Sequence, residues 1–396
     1  MKTIMAACGC FALLSCGEGN NASTQKTDIP TIDLTKTYPK KTLQIEDIAD
    51  VEYIPLETKD DVLVSRFQRA VVLDKQIILQ NHMQGDVFVF DRKGKFQSSF
   101  NHKGNGPGEY MQILSFSADA DAKEIFIQDH PAQKRIQVYS FEGKFKRSLP
   151  INKQLTLGGI YNYDDTYLFA DWFAQVYDPE NKSKLNDRPY LLIDKKSGDI
   201  TPLPQKIKNQ ETGRHRVKKG NGSKTLKFPV CRVMQAGDVV ISDYGLDTTC
   251  IYANGKMTPL LVRNVAEAKK KGDVILSTIL AKSDRYVIVD NLNKKEQVEK
   301  IMNGAKEAVS TQLLCDMKKG TIHDSKLRLS TMPDQDISIN NFILFEDGNQ
   351  MLLNVGSNDE LIELYEDSKL KGRLKDIVSK LKMDDNPVLV LATFKD

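Results

Sequence analysis

One phrase recurs along this chain and constrains its fold more than any other feature: a β-branched or aromatic strand, a short polar turn with Gly, then a second strand. It reads VFVFDRKGKFQSSF over Val87–Phe100, IQVYSFEGKFKRSL over Ile136–Leu149, YLLIDKKSGDITPL over Tyr190–Leu203 and CIYANGKMTPLL over Cys250–Leu261. LLCDMKKGTIHDSKL, over Leu313–Leu327, is a weaker copy. The turn glycines Gly94, Gly143, Gly198, Gly255 and Gly320 stand 49, 55, 57 and 65 residues apart. A four-stranded propeller blade takes about 40 to 50 residues, so the longer steps measure insertions. Upstream of each hairpin lies a further apolar strand pair, at Ala70–Gln80, Leu114–Gln128, Gly159–Ala170, Val230–Ser242 and Thr278–Val289, which makes four strands per repeat.

A sixth strand pair, FILFEDGNQMLLNV, occupies Phe342–Val355, and PVLVLATF at Pro387–Phe394 supplies one strand more. This leaves the sixth blade one strand short and one strand, Val51–Leu56, spare at the start. Pairing the two closes the ring and removes the exposed sheet edges. The expectation is an all-β, six-bladed propeller closed by strands from both chain ends. Two helical patterns, Lys294–Ser310 and Asp359–Met383, interrupt it. In the second, Leu361, Leu364, Leu370, Leu374, Ile377 and Leu381 recur at helical spacing, with Asn358 or Asp359 as its cap. Both patterns fall between the second and third strands of their blades, so they decorate one face as insertions.

The N-terminus carries a different signal. Lys2 precedes an apolar run from Ile4 to Leu14 that ends in Ser15, Cys16 and Gly17, the layout of a signal peptide. The run is shorter than the roughly 20 apolar residues that span a bilayer, and no later segment reaches that length. Leu13-Leu14-Ser15-Cys16 resembles a bacterial lipobox, which implies lipid on Cys16 as the first residue of the mature protein. The division expected is a signal peptide over 1–16, a flexible polar tether over 17–36 and a propeller over 37–396. Fifty-six Lys and Arg against 53 Asp and Glu leave too little net charge to imply nucleic acid as a partner. Of the later cysteines, Cys231, Cys250 and Cys315 lack metal-ligand spacing. Cys231 and Cys250 sit inside apolar strand patterns where buried thiols are commoner than a disulfide, although pairing of the two stays open.

GNGPGEY at Gly104–Tyr110, the opening VEYIPLET, the hairpin VFVFDRKGKF and the closing DDNPVLVLATFK together resemble the six-bladed β-propeller lipoproteins of Gram-negative bacteria, relatives of the NHL-repeat propellers. The resemblance covers about Ile32 to Lys395 and implies fold, export and an outer-membrane lipoprotein of the cell envelope. It brings no catalytic residues with it. Related six-bladed propellers hold calcium or zinc in the central channel, which gives the rival expectation of a metal-assisted lyase or hydrolase.

In a four-stranded blade the loops joining strand two to three, and strand four to the next blade, share a face. Ligands bind where such loops are longest. That face receives Asn81-His82, Asp129-His130, Asp171-Trp172, Asp243-Tyr244, Asp290-Asn291 and Ser357-Asn358, together with His102–Tyr110 and Gln205–Lys227. His82, His130, Asp129 and Asp243 are residue types that suit zinc or calcium, but an Asp just after a strand more often caps a turn with its own carboxylate. The glycines of GNGPGEY fit a blade-to-blade loop with positive φ better than a phosphate cradle, since no Lys-Ser/Thr follows. Glu109 and Tyr110 are candidates to face the pocket, and Trp172 offers a plane for a sugar or peptide. Lys206, Lys208, Arg214, Arg216, Lys218, Lys219, Lys224 and Lys227 form a basic stretch opposed only by Glu211, read as a solvated loop that would also suit an anionic membrane or glycan. No nucleophile elbow, P-loop or zinc-protease helix is present. The function expected is an envelope-anchored binding propeller for a glycan, peptide or partner protein, with no required cofactor.

Overall fold

Strands that are apolar on both faces dictate the architecture, because each sheet must bury two sides at once. A computed structural model of the chain describes residues 29–395 except 35, 66, 68, 82, 131–132, 152–154, 156, 173–187, 208–213, 220–221, 228–230, 237, 265–269, 271, 305–309, 339–341 and 343–348. At 172, 214–219, 222–225, 227, 231–232 and 234–236 it describes the backbone alone. Blade 1 is built of Ala70–Val72, Gln76–Gln80, Asp86–Asp91 and Phe96–Asn101. Blade 2 uses Ser115–Asp119, Glu124–Gln128, Arg135–Ser140 and Phe145–Pro150. Blade 3 uses Leu157–Asn162, Tyr167–Trp172, Tyr190–Asp194 and Ile200–Pro202. Blade 4 follows with Cys231–Ala236, Asp238–Asp243, Thr248–Ala253 and Lys256–Asn264, and blade 5 with Ile275–Lys282, Tyr286–Asn293, Thr311–Asp316 and Thr321–Leu329.

Blade 6 joins the two ends of the chain. Gln350–Asn354 pairs with Val388–Phe394, which pairs in turn with Ala49–Pro55 in antiparallel register from Val388 opposite Pro55 to Phe394 opposite Ala49. The Phe342–Leu353 bridge marks its innermost position. The six-bladed ring and its terminal-strand closure are therefore as the repeat count requires.

Alternation within each strand sends neighbouring residues to opposite interfaces. Ile77, Leu79, Phe88 and Phe90 of blade 1 pack on Leu352, Leu389 and Leu391 of blade 6, while Ile78, Val87 and Val89 pack on Phe116, Ile125 and Ile127 of blade 2. An apolar cluster of this kind fills each of the six inter-blade interfaces. Cys250 and Cys315 are buried and form no disulfide, while the Cys231 side chain lies outside the described residues.

The helical stretches differ from their sequence patterns. The first is a shorter helix, α1 (Lys294–Met302), whose cap Asn293 accepts from the amides of Lys295 and Glu296. The second divides into α2 (Asn358–Glu366) and α3 (Gly372–Val378), separated where Ser368 and Gly372 take positive φ. Its cap is Ser357, in a reciprocal capping box with Glu360, and not Asn358 or Asp359. Asn358 instead donates its side-chain amide to the carbonyls of Lys382 and Asp385.

Among the described residues several strands have no counterpart in the repeats: Met332–Ile337 pairs with the outer strand of blade 5, Arg214–Lys219 and Gly222–Lys227 pair with each other, and two more lie near the N-terminus. Thr31–Asp33, at the end of the segment read as a tether, adds in parallel to the outer strand of blade 4, and Lys40–Gln44 adds in parallel to that of blade 5. Ile32 is fully buried there. The N-terminal segment thus laces blades 4 and 5 before it completes blade 6.

All five turn glycines of the repeat have positive φ, between 64° and 82°. Gly94 also approaches blade 6 so closely that a Cβ would lie 2.3 Å from the Pro55 carbonyl oxygen, whereas around Gly255 nothing lies within 4 Å. Left-handed backbone costs a non-glycine residue roughly 1–2 kcal/mol. Gly255→Ala is expected to lose about that much in urea unfolding, and Gly94→Ala distinctly more, because the closing blade must move as well.

Candidate functional site

Three of the six second strands end on a buried acid or amide, Gln80, Gln128 and Asp243, while blade 3 carries Asp171 one residue before its strand end, blade 5 carries Asp290 and Asn291 near its own, and blade 6 supplies Asn358 beyond its strand, at the start of α2. Gln80, Asn81, Gln128, Asp129, Asp171, Ser242, Asp243, Asp290, Asn291 and Asn358 are all buried. A buried carboxylate must collect donors, and Asp129 and Asp243 do. Asp129 Oδ1 accepts from the amides of Met111 (2.7 Å) and His130 (2.7 Å), and Oδ2 accepts from Arg135 Nε at 2.9 Å. Asp243 Oδ2 accepts the Tyr190 hydroxyl at 2.6 Å and Oδ1 the Gly245 amide at 2.7 Å. Burial raises the Asp243 pKa, against the pull of Tyr190, Gly245 and Arg263. These aspartates hold turns and blade ends, the plainer of the two roles that their position suggested.

That engagement bears on a metal. The oxygens of Asp129 and Asp243 are committed to protein donors, so they do not fit an open ligand set. Among the described residues no three His, Cys, Asp or Glu side chains form a group able to hold an ion. His130 is half-buried beside Asp129, and His82 lies outside the described residues.

The mouth of the central channel is organised by a residue that the sequence did not single out. Arg69 is buried at the entry to blade 1, donates from Nη1 to Ser115 Oγ of blade 2 (2.5 Å) and from Nη2 to the Ile160 carbonyl of blade 3 (2.6 Å), and stacks on the Tyr161 ring at 4.3 Å. One guanidinium thereby ties three inner strands together. Arg263 does similar work at blade 4, donating to the carbonyls of Asp243 (2.5 Å) and Leu246. Neither belongs to a motif; a lone arginine bordering an apolar strand is the faint signal available. Near Arg69 lies Asp171, whose pKa burial pushes up to about 6, opposed by the Gly159 amide, its own amide and Arg69. Its Oδ1 has no partner among the described residues.

GNGPGEY is a blade-to-blade loop, but its glycines answer to space and not to positive φ, since Gly104, Gly106 and Gly108 are absent from the left-handed region. A Cβ on Gly104 would meet Glu109 Oε2 at 2.0 Å, and one on Gly108 would meet Phe145 at 3.1 Å. Glu109 is exposed and receives the Gly106 amide at 2.8 Å. Tyr110 does not face a pocket: it is fully buried, donates its hydroxyl to the Gly85 carbonyl at 2.5 Å and meets Tyr139 edge-on.

The basic stretch is not a bare loop. Arg214–Lys219 pairs with Gly222–Lys227 as an antiparallel hairpin between blades 3 and 4, which includes Arg214 and Arg216. Its Leu226 is buried with Leu276 and Leu292 of blade 5, against Tyr244, Val298 and Ile301. Tyr244 is therefore half-buried under the hairpin. Trp172 ends the second strand of blade 3, opposite Leu157; its side chain lies outside the described residues. On the same side, a cleft of about 440 Å³ opens between α3 and the closing seam, lined by Leu56, Arg373, Asp376, Ile377, Lys380 and Leu381 among others.

Residues 29–393 match the family model of DUF4934, a domain of unknown function. The chain belongs to the DUF4934 family. A crystal structure of a protein thought to be exported from Bacteroides fragilis NCTC 9343 shares the fold of this DUF4934 chain, with a TM-score of 0.62 at 15% identity, covering 90% of this chain and 99% of the other. A DUF4221 family member from Bacteroides vulgatus is similar at a TM-score of 0.48 and 12% identity, over 88% of this chain and 97% of its own. No curated protein matches the sequence.

A raised carboxylate pKa has a definite sign in stability. Below the ordinary value of 3.8 Asp171 is protonated folded or unfolded; between there and about 6 only the folded form holds the proton. The fold therefore loses stability through this group as pH rises from about 4 to 6, by at most about 1.4 kcal/mol per unit. Asp171→Asn should flatten that part of the stability profile, measured by urea midpoints at successive pH values.

Proposed function

We propose that this chain is an exported propeller, anchored by lipid on Cys16, that binds a glycan, peptide or partner protein of the cell envelope on its loop-bearing face. One observation carries the reading. The described insertions, α1, α2, α3, the basic hairpin and the GNGPGEY loop, all rise from that one side of an otherwise regular ring. Rigid strands that position long loops on one face suit recognition. Asp129 and Asp243 behind that face are occupied by structural hydrogen bonds, which leaves ligand contacts chiefly to the loops. The signal-peptide layout supports the location, as does the structural neighbour in Bacteroides fragilis that is thought to be exported.

Because Tyr244 packs under the hairpin, its substitution would mix binding with folding. The cleaner probe is His130→Ala combined with Trp172→Ala on glycan and peptide arrays. Capture by the parent protein should fall at least tenfold in the double variant with the melting temperature within about 2 °C; undiminished capture would remove these residues from the site. For the anchor, Cys16→Ala expressed in a Gram-negative host should move the protein from the membrane pellet to the soluble fraction.

A further inference from the structure

The hairpin between blades 3 and 4 concentrates charge in a way that the rest of the chain does not. Residues 205–227 carry eight cations and a single acid, Glu211, while the whole chain has 56 Lys and Arg against 53 Asp and Glu. The remainder is therefore net acidic, and six of the eight cations fall on the hairpin Arg214–Lys227 of the loop-bearing side.

The ladder register orders that charge. Arg214 stands opposite Lys227, Arg216 opposite Thr225 and Lys218 opposite Ser223, while His215 stands opposite Leu226. Directly opposed residues of an antiparallel pair share a face, and successive residues alternate. Arg214, Arg216, Lys218 and Lys227 therefore take positions alternate to Leu226, the residue that packs the hairpin onto blade 5 and α1. Along the first strand these cationic positions recur about every 6.8 Å. A row of that length suits an extended chain of charges better than a single anion, and the packing of Leu226 holds it on a scaffold.

The direction of the N-terminal segment separates this row from the anchor. Thr31–Asp33 runs parallel to Lys256–Asn264, so the chain reaches blade 4 from the side of its Asn254–Gly255 turn. The hairpin instead packs at the ends of the blade 5 strands near Leu276 and Leu292, on the loop-bearing side.

We propose that the hairpin Arg214–Lys227 is the recognition element for a linear acidic polysaccharide. This rests on the binding reading of the same face and supplies the ligand class. The polymer lies along the strand, each acidic group meeting successive cations, and its binding weakens as salt shortens the reach of the charges to about 3 Å at 1 M.

The test uses the full mature chain on immobilised heparin and on polygalacturonate, with neutral dextran as a blank, and on phosphatidylglycerol vesicles in parallel. Retention on both acidic polymers, eluted below 1 M salt, is expected. Arg214→Gln, Arg216→Gln, Lys218→Gln and Lys227→Gln together should weaken it at least tenfold. A control removing four exposed cations elsewhere, Lys40→Gln, Lys41→Gln, Lys75→Gln and Lys256→Gln, should change it less than twofold. Should the fourfold hairpin variant fail to fold, Arg216→Gln with Lys218→Gln is expected to weaken retention about threefold at an unchanged melting temperature. Equal losses in hairpin and control variants, no loss in the hairpin variants, or binding confined to the vesicles would each overturn the assignment. Array capture of some other ligand alongside absent polymer binding would overturn it too, while leaving the binding role of the face standing.

Discussion

The pairing of Val388–Phe394 with Ala49–Pro55 is the constraint on which the ring depends. A propeller blade is apolar on both sides, so a blade missing a neighbour exposes a hydrophobic sheet face, and an unclosed ring exposes two. Leu389 and Leu391, on the C-terminal strand, and Ile54, on the N-terminal one, belong to the cluster that seals blade 6 against blade 1. Val388, Val390, Ala392 and Phe394 turn the other way and fill the interface with blade 5. A single strand pair thus serves both neighbours. Asn386 reinforces the seam: it accepts the Val64 amide at 2.7 Å and donates to the carbonyls of Glu57 and Val62. The loop entering blade 1 is fixed to the end of the chain in this way.

From that closed ring follows the character of the loop-bearing face. The second strand of a blade is paired on both sides, and where it stops, the turn beyond it brings amides that need acceptors. Asp129 and Asp243 meet that need, and two arginines meet the converse need of carbonyls, Arg69 for the inner strand of blade 3 and Arg263 for the turn beyond Asp243. The polar ring that looks in sequence like a binding site is in large part the internal fastening of the blades. Asp171 departs from this pattern, with one carboxylate oxygen left without a partner and a pKa near 6.

How much of this was legible in the sequence depends on whether a signal was local. The turn glycines were readable because a tight two-strand turn needs left-handed backbone, and Gly94, Gly143, Gly198, Gly255 and Gly320 all show it. Closure was readable by counting strands. The glycines of GNGPGEY do not show the left-handed backbone that their loop suggests, and the approach of Phe145 to Gly108 comes from another strand, which looks the same in sequence as a conformational need. The hairpin Arg214–Lys227 looks like a loop in sequence because lysine and glycine are poor strand formers, and Leu226, which anchors it, finds its partners on another blade. The strands Thr31–Asp33 and Lys40–Gln44 are too short to carry a period, and each pairs with a strand more than two hundred residues away. Arg69 acts on three blades at once, which no local pattern can announce.

The lacing of the N-terminal segment has a consequence in time. Thr31–Asp33, Lys40–Gln44 and Ala49–Pro55 are among the first described residues to be synthesised, yet their partners belong to blades 4, 5 and 6. Contacts between segments so distant form slowly, and these have nothing to form with until about two thirds of the polypeptide has appeared. The first three blades pair only with their own sequence neighbours and can form early, so the ring stays open until its last strands arrive and the two ends meet.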